Sequence, residues 1–525
     1  MNSKNMLVKL LSIMIVCGVL LSACGAPATE APATEAPATE APAATEAPAA
    51  TEAPATEAPA GLMYEGVTID ILTFVGPQVA EPLQRRGPDF TALTGATVNI
   101  ITVPNSELYQ KVLTDAVSGT NAYDGYLFAP AWITDFAPAG LVEDLTPYVE
   151  ADAALEWDDV APFFRDFNSY NGKVYSIPLD GDMHMVYYRI DSLEEAGLEP
   201  PKTWDDYLSV AKALHGKDLN GDGEGDYGSC ISKAPAQQSY WWIWSIAAPY
   251  IQSQGSSQGP FFNTADMTPL VNNDAFKRAL EVYKETGLYG PPDETNQGVG
   301  DSRGLFLQGR CALTMDWGDI GPLAIAPDSK VIDKTGAISN PGSTEVLDWE
   351  TGKLVPCDAT TCPHAIDGVN HAPFASFGGW AGAVNAAVDQ KEKDATYAFF
   401  SYMAQPAQSN ADVVVGATGY NPFRISQFEN KQAWVDAGFS QAAAEQYLNG
   451  IEESLNSPNM AADLRIPKSQ QYIQVELDRI LALYIAGDLT TDEAAQQLYD
   501  SWEQITEAEG RDAQLTFYKA TLGAK

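Results

Sequence analysis

The sequence predicts an α/β fold built in more than one lobe, and three observations lead there. Val67–Phe74 ("VTIDILTF"), Thr97–Val103 ("TVNIITV") and Tyr123–Ala129 ("YDGYLFA") alternate apolar and polar residues as strands do. Helix-length stretches separate them, among them Asn105–Gly119. Strand, helix, strand in repetition predicts a βαβαβ unit and a largely parallel sheet. The third observation is length: residues 61–525 are too many for one small domain.

The first 60 residues do not belong to that fold. Lys4 and Lys9 precede an apolar run, Leu10–Leu21, of twelve residues. A helix that spans a bilayer needs roughly 20, so the run reads as an export signal. Leu21-Ser22-Ala23-Cys24 resembles the bacterial lipobox. That resemblance implies cleavage after residue 23 and lipidation of Cys24. Residues 24–60 then repeat Ala, Pro, Thr and Glu without an aromatic or large aliphatic residue. Such a chain cannot offset its ordering entropy. Its prolines favour extended, semi-rigid conformations, so it reads as a disordered tether.

Later helices carry their own signals. Thr203 and Asp206 form a capping-box pattern ahead of Tyr207, Val210, Ala211 and Leu214. Phe276, Ala279, Leu280 and Tyr283 share one helix face, and Ala395, Ala398, Phe399, Tyr402 and Met403 another. Ile473, Leu477, Ile480 and Leu481 mark a further helix. Thr490 and Glu493 open one that carries Ala494, Leu498, Trp502 and Ile505. All of these stripes read as core. Gly87-Pro88 interrupts the first helical stretch, which is expected to split there.

The chain carries a net charge of −40. Two lysines of the leader and six glutamates of the repeat account for +2 and −6, which leaves −36 on residues 61–525. That field opposes nucleic acid and anionic lipid, and favours a neutral or cationic ligand. No run of about 18 apolar residues follows the leader, so the remainder is expected to be water-soluble. Beyond Cys17 and Cys24 lie four cysteines, an even number in an exported chain, and disulfides are the default. Cys357 and Cys362 can close the short loop "CDATTC"; Cys230 and Cys311 then pair if their strands are neighbours. A metal site that uses "CDATTC" with His364 is the competing reading.

A family resemblance emerges at Asn171–Leu214, "NGKVYSIPLDGDMHMVYYRIDSLEEAGLEPPKTWDDYLSVAKAL". The stretch resembles the extracellular solute-binding proteins of ABC importers, the group that includes maltose-binding protein. "LFLQGRCALTMDWGD" (305–319), "FGGWAGAVN" (377–385), "ATGYNPFRIS" (417–426), "IPKSQQYIQVELDRILALYIAG" (466–487) and "TTDEAAQQLYDSW" (490–502) fit the same family in the same order. The resemblance implies a periplasmic-binding-protein-like fold of two lobes joined by hinge strands around a ligand cleft. One lobe would hold 65–178 plus 382–420, the other 179–381 plus 421–525. It also implies a monomeric, lipid-anchored extracytoplasmic binder of a sugar or polyol, which docks on the membrane-spanning subunits of an importer. It implies no cofactor and no enzymatic activity.

Sugar sites need aromatic faces for the apolar side of the ring and Asp, Asn, Arg or His for the hydroxyls. The resemblance places the cleft at Gly76, Pro77, Phe128 and Trp132. It adds Asp180, Asp182 and His184 in a first crossover, Trp241 and Trp242, and Asp316 and Trp317 after a strand. Gly379 and Trp380 mark a second crossover, and Tyr420, Asn421 and Arg424 a third, with Tyr472 near the C-terminus. For each aromatic the competing reading is core packing, for His184 a satisfied polar residue, and for Arg424 a lobe-bridging ion pair.

A separate motif, "DLNGDGEGDYGS" (218–229), places Asp218, Asn220, Asp222, Glu224 and Asp226 at every second residue, with Gly223 sixth. This is the spacing of a calcium loop. Ser229 stands where an EF-hand has its bidentate Glu, so a structural Ca²⁺ with a ligand from elsewhere is expected. Two further readings compete with the binder. A secreted carbohydrate-active enzyme would need two carboxylates across a scissile bond, and a calcium-dependent surface adhesion protein would use the tether and the acidic loop.

Overall fold

The computed structural model describes residues 62–523, apart from Pro77 and Ala417. The export signal, Cys24, the tether and Pro77 therefore lie outside the described residues. No described helix is long and apolar enough to cross a membrane.

The chain starts with β1 (Thr68–Phe74), α1 (Ala80–Thr94), β2 (Thr97–Val103), α2 (Asn105–Ser118) and β3 (Gly125–Phe128). β1 pairs in parallel with β2 from Thr68↔Thr97 to Phe74↔Val103, and with β3 at Ile71↔Gly125, as the alternation predicted. α1 differs from expectation: it runs unbroken through Pro88. Pro88 loses one N–H, but Leu83 and Phe90 are buried on either side of it and hold both halves to one packing surface.

After β4 (Ile177–Pro178) the chain crosses into a second sheet. That sheet holds β5 (Met185–Arg189), β6 (Tyr227–Cys230), β7 (Cys311–Asp316) and β8 (Thr335–Ser339), in the order β8-β5-β7-β6. β5 runs antiparallel to both neighbours, and β6 parallel to β7. β5 and β7 are buried along their whole length, as strands covered on both faces must be. Helices α3 (Trp204–Leu214), α4 (Ser239–Ile251), α5 (Asp274–Thr286) and α6 (Val299–Leu307) belong to this lobe. The Thr203–Asp206 capping box forms as read.

The chain then returns. β9 (Ala381–Val384) inserts between β3 and β4, antiparallel to both, and completes the first sheet as β2-β1-β3-β9-β4. α7 (Gln390–Ala404) follows, and α8 (Thr491–Glu509), opened by the Thr490–Glu493 capping box, lies near the end. Both disulfides form. Cys230–Cys311 joins adjacent β6 and β7, and Cys357–Cys362 closes its loop, so those thiols are not metal ligands beside His364.

Three stretches cross between the sheets and meet at Asp180. The N–H groups of Leu179 and Asp180 donate to Trp380 O at 2.9 and 3.1 Å, and that of Gly181 to Asn421 O at 3.1 Å. Gly379 has φ +79°, and a Cβ there would lie 2.1 Å from Asp180 O. Only glycine lets the second crossover pass so close to the first.

Candidate functional site: a cleft between the lobes

The crossovers floor a cavity of about 510 Å³. Phe74, Val75, Gln78 and Asn105 line it from the ends of β1 and β2. Gln237, Gln238 and Trp241 come from the start of α4, and Asn296, Asp301 and Arg303 from the start of α6. Trp317 and Asp319 follow β7, and Phe377 and Trp380 belong to the second crossover. Ligands of open α/β sheets bind off the carboxyl ends of strands in this way.

One side of the cavity is aromatic and continuous. Phe74 lies 5.1 Å from Trp380, Trp380 5.0 Å from Phe377, and Phe377 4.7 Å from Trp241, each between ring centroids. Trp317 stands edge-on to Trp241 at 5.5 Å. The Trp317 indole N–H is held by Gln238, and its carbonyl accepts from the buried Tyr187 hydroxyl at 2.8 Å.

The floor is acidic. Asn421 Nδ2 donates to Asp182 at 2.6 Å and to Asp180 at 3.2 Å, and lies 3.5 Å from Asp319. Asp180 also accepts the Asn421 backbone N–H at 2.7 Å, while its second oxygen is buried without a partner. The cation of the floor is Arg303. It forks onto Asp316 at 2.6 and 3.1 Å and reaches Asp319 at 3.1 Å. Burial, and then the charge of Asp180, pushes the Asp182 carboxyl well up. Burial raises Asp180 too, against the hydrogen bonds from Asn421. Both carboxyls are therefore harder to ionise than an exposed carboxylate. With both raised, the native state holds protons on the pair after an unfolded chain has released them, so the pair's contribution is full below the ordinary carboxylate pKa of about 4 and is lost as pH rises through the raised values. Asp182→Asn is expected to lose less stability than the wild type between acid and neutral pH. Calorimetric melting at both pH values checks this, and parallel curves would refute the upward shift of the pair.

The residues expected from sequence fall into three groups. Asp182, Trp241, Trp317 and Trp380 line the cavity. A second group stands behind the lining: Asp180, Asp316, Asn421 and Gly379 as above, with His184 and Trp242. His184 is fully buried, bonded to Ser245 at 2.6 Å and packed 3.9 Å from the Trp317 ring. Burial pushes its pKa well down, so it is neutral. Trp242 is buried and donates to Ser232 at 3.0 Å. Trp132 supports Trp380 edge-on at 6.1 Å, and Phe128 packs beneath Trp132 at 5.5 Å. Gly76, with φ +142°, sits between the lining residues Val75 and Gln78.

The third group lies off the lining. Tyr420 is buried. Arg424 donates to Ala404 O at 2.9 Å, Leu155 O at 2.7 Å, Glu156 O at 3.2 Å and Asp159 at 3.1 Å, which makes it an anchor of the third crossover. Tyr472 packs on Trp502 at 5.4 Å and bonds to Thr506. Sequence reasoning missed Phe74, Arg303, Asp319, Phe377 and the Gln237–Gln238 pair. The glutamines adjoin "SYWWIWS", and Asp319 ends a quoted motif; Arg303 had no local signal.

The residues expected to hold calcium are exposed apart from Asp226, and their side chains bond largely within the loop. Asp218 accepts the backbone N–H groups of Gly221, Asp222 and Gly223 at 2.7–3.1 Å. Asn220 donates to Asp222 at 3.1 Å, and the Glu224 carboxylate lies 3.7 Å from Arg310. Asp226 accepts from Leu219 and Asn220 with one oxygen and from Arg310 Nε at 2.8 Å with the other. Among the described residues no three His, Cys, Asp or Glu side chains are grouped to hold a metal ion, so the calcium expectation gains no support.

Comparison with known proteins matches this architecture. The family model described as "Bacterial extracellular solute-binding protein" matches residues 76–410. A mannitol-binding protein of Pseudomonas aeruginosa is 26% identical over 263 residues, 47% of this chain and 56% of the relative, so the chain spans little more than half of that relative's length. An erythritol/L-threitol-binding protein of Mycolicibacterium smegmatis is 24% identical over 454 residues, 82% of this chain and 84% of the relative. Among solved structures, a ribitol-bound solute-binding protein of Agrobacterium radiobacter K84 superposes with a TM-score of 0.68 at 21% identity, covering 84% of this chain and 99% of the other. A maltose-bound T. maritima protein gives 0.64 at 18% identity, covering 84% and 100%. Two lobes, three crossovers and a cleft at the strand ends agree with the family match over most of the chain: it belongs to the bacterial extracellular solute-binding proteins.

Proposed function

We propose that this protein captures a sugar or polyol between its lobes and delivers it to an ABC importer. The reading includes a lipid on Cys24 that holds it at the outer face of the membrane, with residues 24–60 as spacer. It also takes 65–178 plus 382–420 and 179–381 plus 421–525 as the two bodies that close on the ligand. No cofactor and no catalysis enter it, and the named relatives are binding proteins.

The observation that carries the ligand class is the aromatic wall of Phe74, Trp380, Phe377, Trp241 and Trp317 facing an amide-and-carboxylate floor. Rings take the C–H faces of a sugar, and carboxylates accept its hydroxyl protons. The net charge of −40 opposes an anionic ligand. Relatives named for mannitol and for erythritol and threitol support the same class.

Calorimetric titration with ribitol, D-mannitol, erythritol and maltose tests the reading. At least one is expected to bind, and Trp241→Ala to weaken it about tenfold or more, since a buried aromatic contributes about 1.5–3 kcal/mol. No binding by any of the four, with amino acids binding instead, would overturn the ligand class. Cys24→Ser is expected to move the protein from the membrane fraction to the medium.

A further inference from the structure

One carboxylate outside the cleft holds two of its aromatic rings. Ala461–Ala462 pairs in parallel with Phe374–Ala375, and the Asp463 N–H extends the ladder by donating to Ala375 O at 3.2 Å. That register brings the Asp463 side chain, 4% exposed, beneath the second crossover. Its Oδ2 accepts two donors, the Phe377 backbone N–H at 2.7 Å and the Trp241 indole N–H at 3.0 Å. Its Oδ1 accepts the Leu464 N–H at 2.7 Å.

The acid has no cation partner among the described residues, and burial pushes it up to about 6. A buried carboxylate without a cation is costly, and an apolar residue of similar size would pack at less expense. What distinguishes this one is its partners. Trp241 and Phe377 are stacked on each other in the cleft wall, 30° from parallel. Phe377 also holds φ +28°, a conformation that non-glycine residues rarely adopt. The Asp463 bond fixes the Phe377 amide in that turn, and so keeps its ring against Trp241, Trp380 and Trp317.

We propose that Asp463 is a positioning residue that sets the Trp241–Phe377 platform and thereby the preference of the cleft for cyclic over acyclic ligands. A pyranose ring offers a flat C–H face and gains most from a fixed aromatic surface. An acyclic polyol lacks that face and depends more on the carboxylate and amide floor. The preference rests on the sugar-or-polyol reading of the cleft; the placement of the rings does not.

The test uses Asp463→Asn, which keeps the shape but has one acceptor oxygen and cannot serve both sides of the carboxylate. In ligand-free protein carrying 5-fluorotryptophan, the Trp241 fluorine resonance, assigned by its loss in Trp241→Phe, is expected to shift and broaden. The resonances of Trp204 and Trp434, outside the wall, are expected to hold. In calorimetry, maltose is expected to bind about tenfold more weakly and ribitol less than about threefold. An unmoved Trp241 resonance in the folded variant overturns the positioning role. An equal loss for both sugars, or none for maltose, overturns the preference. If Asp463→Asn does not fold, Trp241→Phe keeps a ring while removing one donor and is expected to weaken maltose more than ribitol; no such difference refutes the proposal. If the wild type binds D-mannitol or erythritol but neither maltose nor ribitol, the preference falls; if it binds none of the four, the reading of the cleft fails as well, and in both cases the fluorine spectra still decide whether Asp463 holds Trp241.

Discussion

Arg303→Leu is expected to remove about 3–5 kcal/mol of stability, together with binding in the cleft. Arg303 projects from α6 into the floor and is 5% exposed. Its fork on Asp316 and its bond to Asp319 make it the counterion of an acidic cluster that also includes Asp180 and Asp182. Without it, these carboxylates face one another with no neighbouring cation among the described residues. Asp316 also holds the Trp317 N–H at 2.7 Å, so its displacement would carry an aromatic wall residue with it. Arg303→Lys keeps the charge but not the fork, and an intermediate loss is expected. The loss should shrink in acid, where the orphaned carboxylates take up protons. Chemical unfolding of both variants at neutral and acid pH checks this, and a loss that does not depend on pH would show that Arg303 contributes by packing alone.

The second large effect concerns the Cys230–Cys311 bridge. It closes 81 residues of chain, and the loop-closure argument assigns it about 4–5 kcal/mol. Replacing both cysteines with serine is expected to approach that figure, because β6 is an edge strand tied to the sheet through β7 alone. The Cys357–Cys362 bridge spans five residues and should be worth about 2 kcal/mol or less. Urea unfolding of the two serine pairs decides between them. Equal losses would mean that native-state strain or residual structure in the unfolded chain, rather than loop length, sets their worth.

What sequence could and could not reveal follows from how far each signal reaches. Capping boxes at Thr203 and Thr490 and the alternation of β1 are local, and all form as read. The pairing of Cys230 with Cys311 needed only adjacent strands. The cleft draws on segments from Phe74 to Gly419, and no window holds its pattern. In "SYWWIWS" helix periodicity gave no help, because α4 is buried on every side. Trp241 reaches the cavity, Trp242 turns to Ser232, and Trp244 packs on Phe261 at 4.3 Å. Arg424 sits three residues beyond Asn421 of the floor, yet points toward Leu155 and Ala404. The loop at 218–229 has calcium-like spacing, but Arg310, which pairs with Asp226, comes from 84 residues away.

On the proposed function, the meeting of three crossovers at Asp180 bears on how a loaded form would be told from an empty one. Two bodies joined by a single strand could swing, slide and twist independently. Three segments, two of them bonded to the first at Leu179–Gly181, with Gly379 and Gly181 too closely packed to admit a side chain, resemble a door hung on several pins. Such a joint is expected to leave one rotation easy and to suppress the others. On the proposed function, the width of the gap would then be the single coordinate on which empty and filled forms differ. An outside reader that feels only the spacing between two surfaces can then distinguish a loaded carrier from an empty one without touching the cargo.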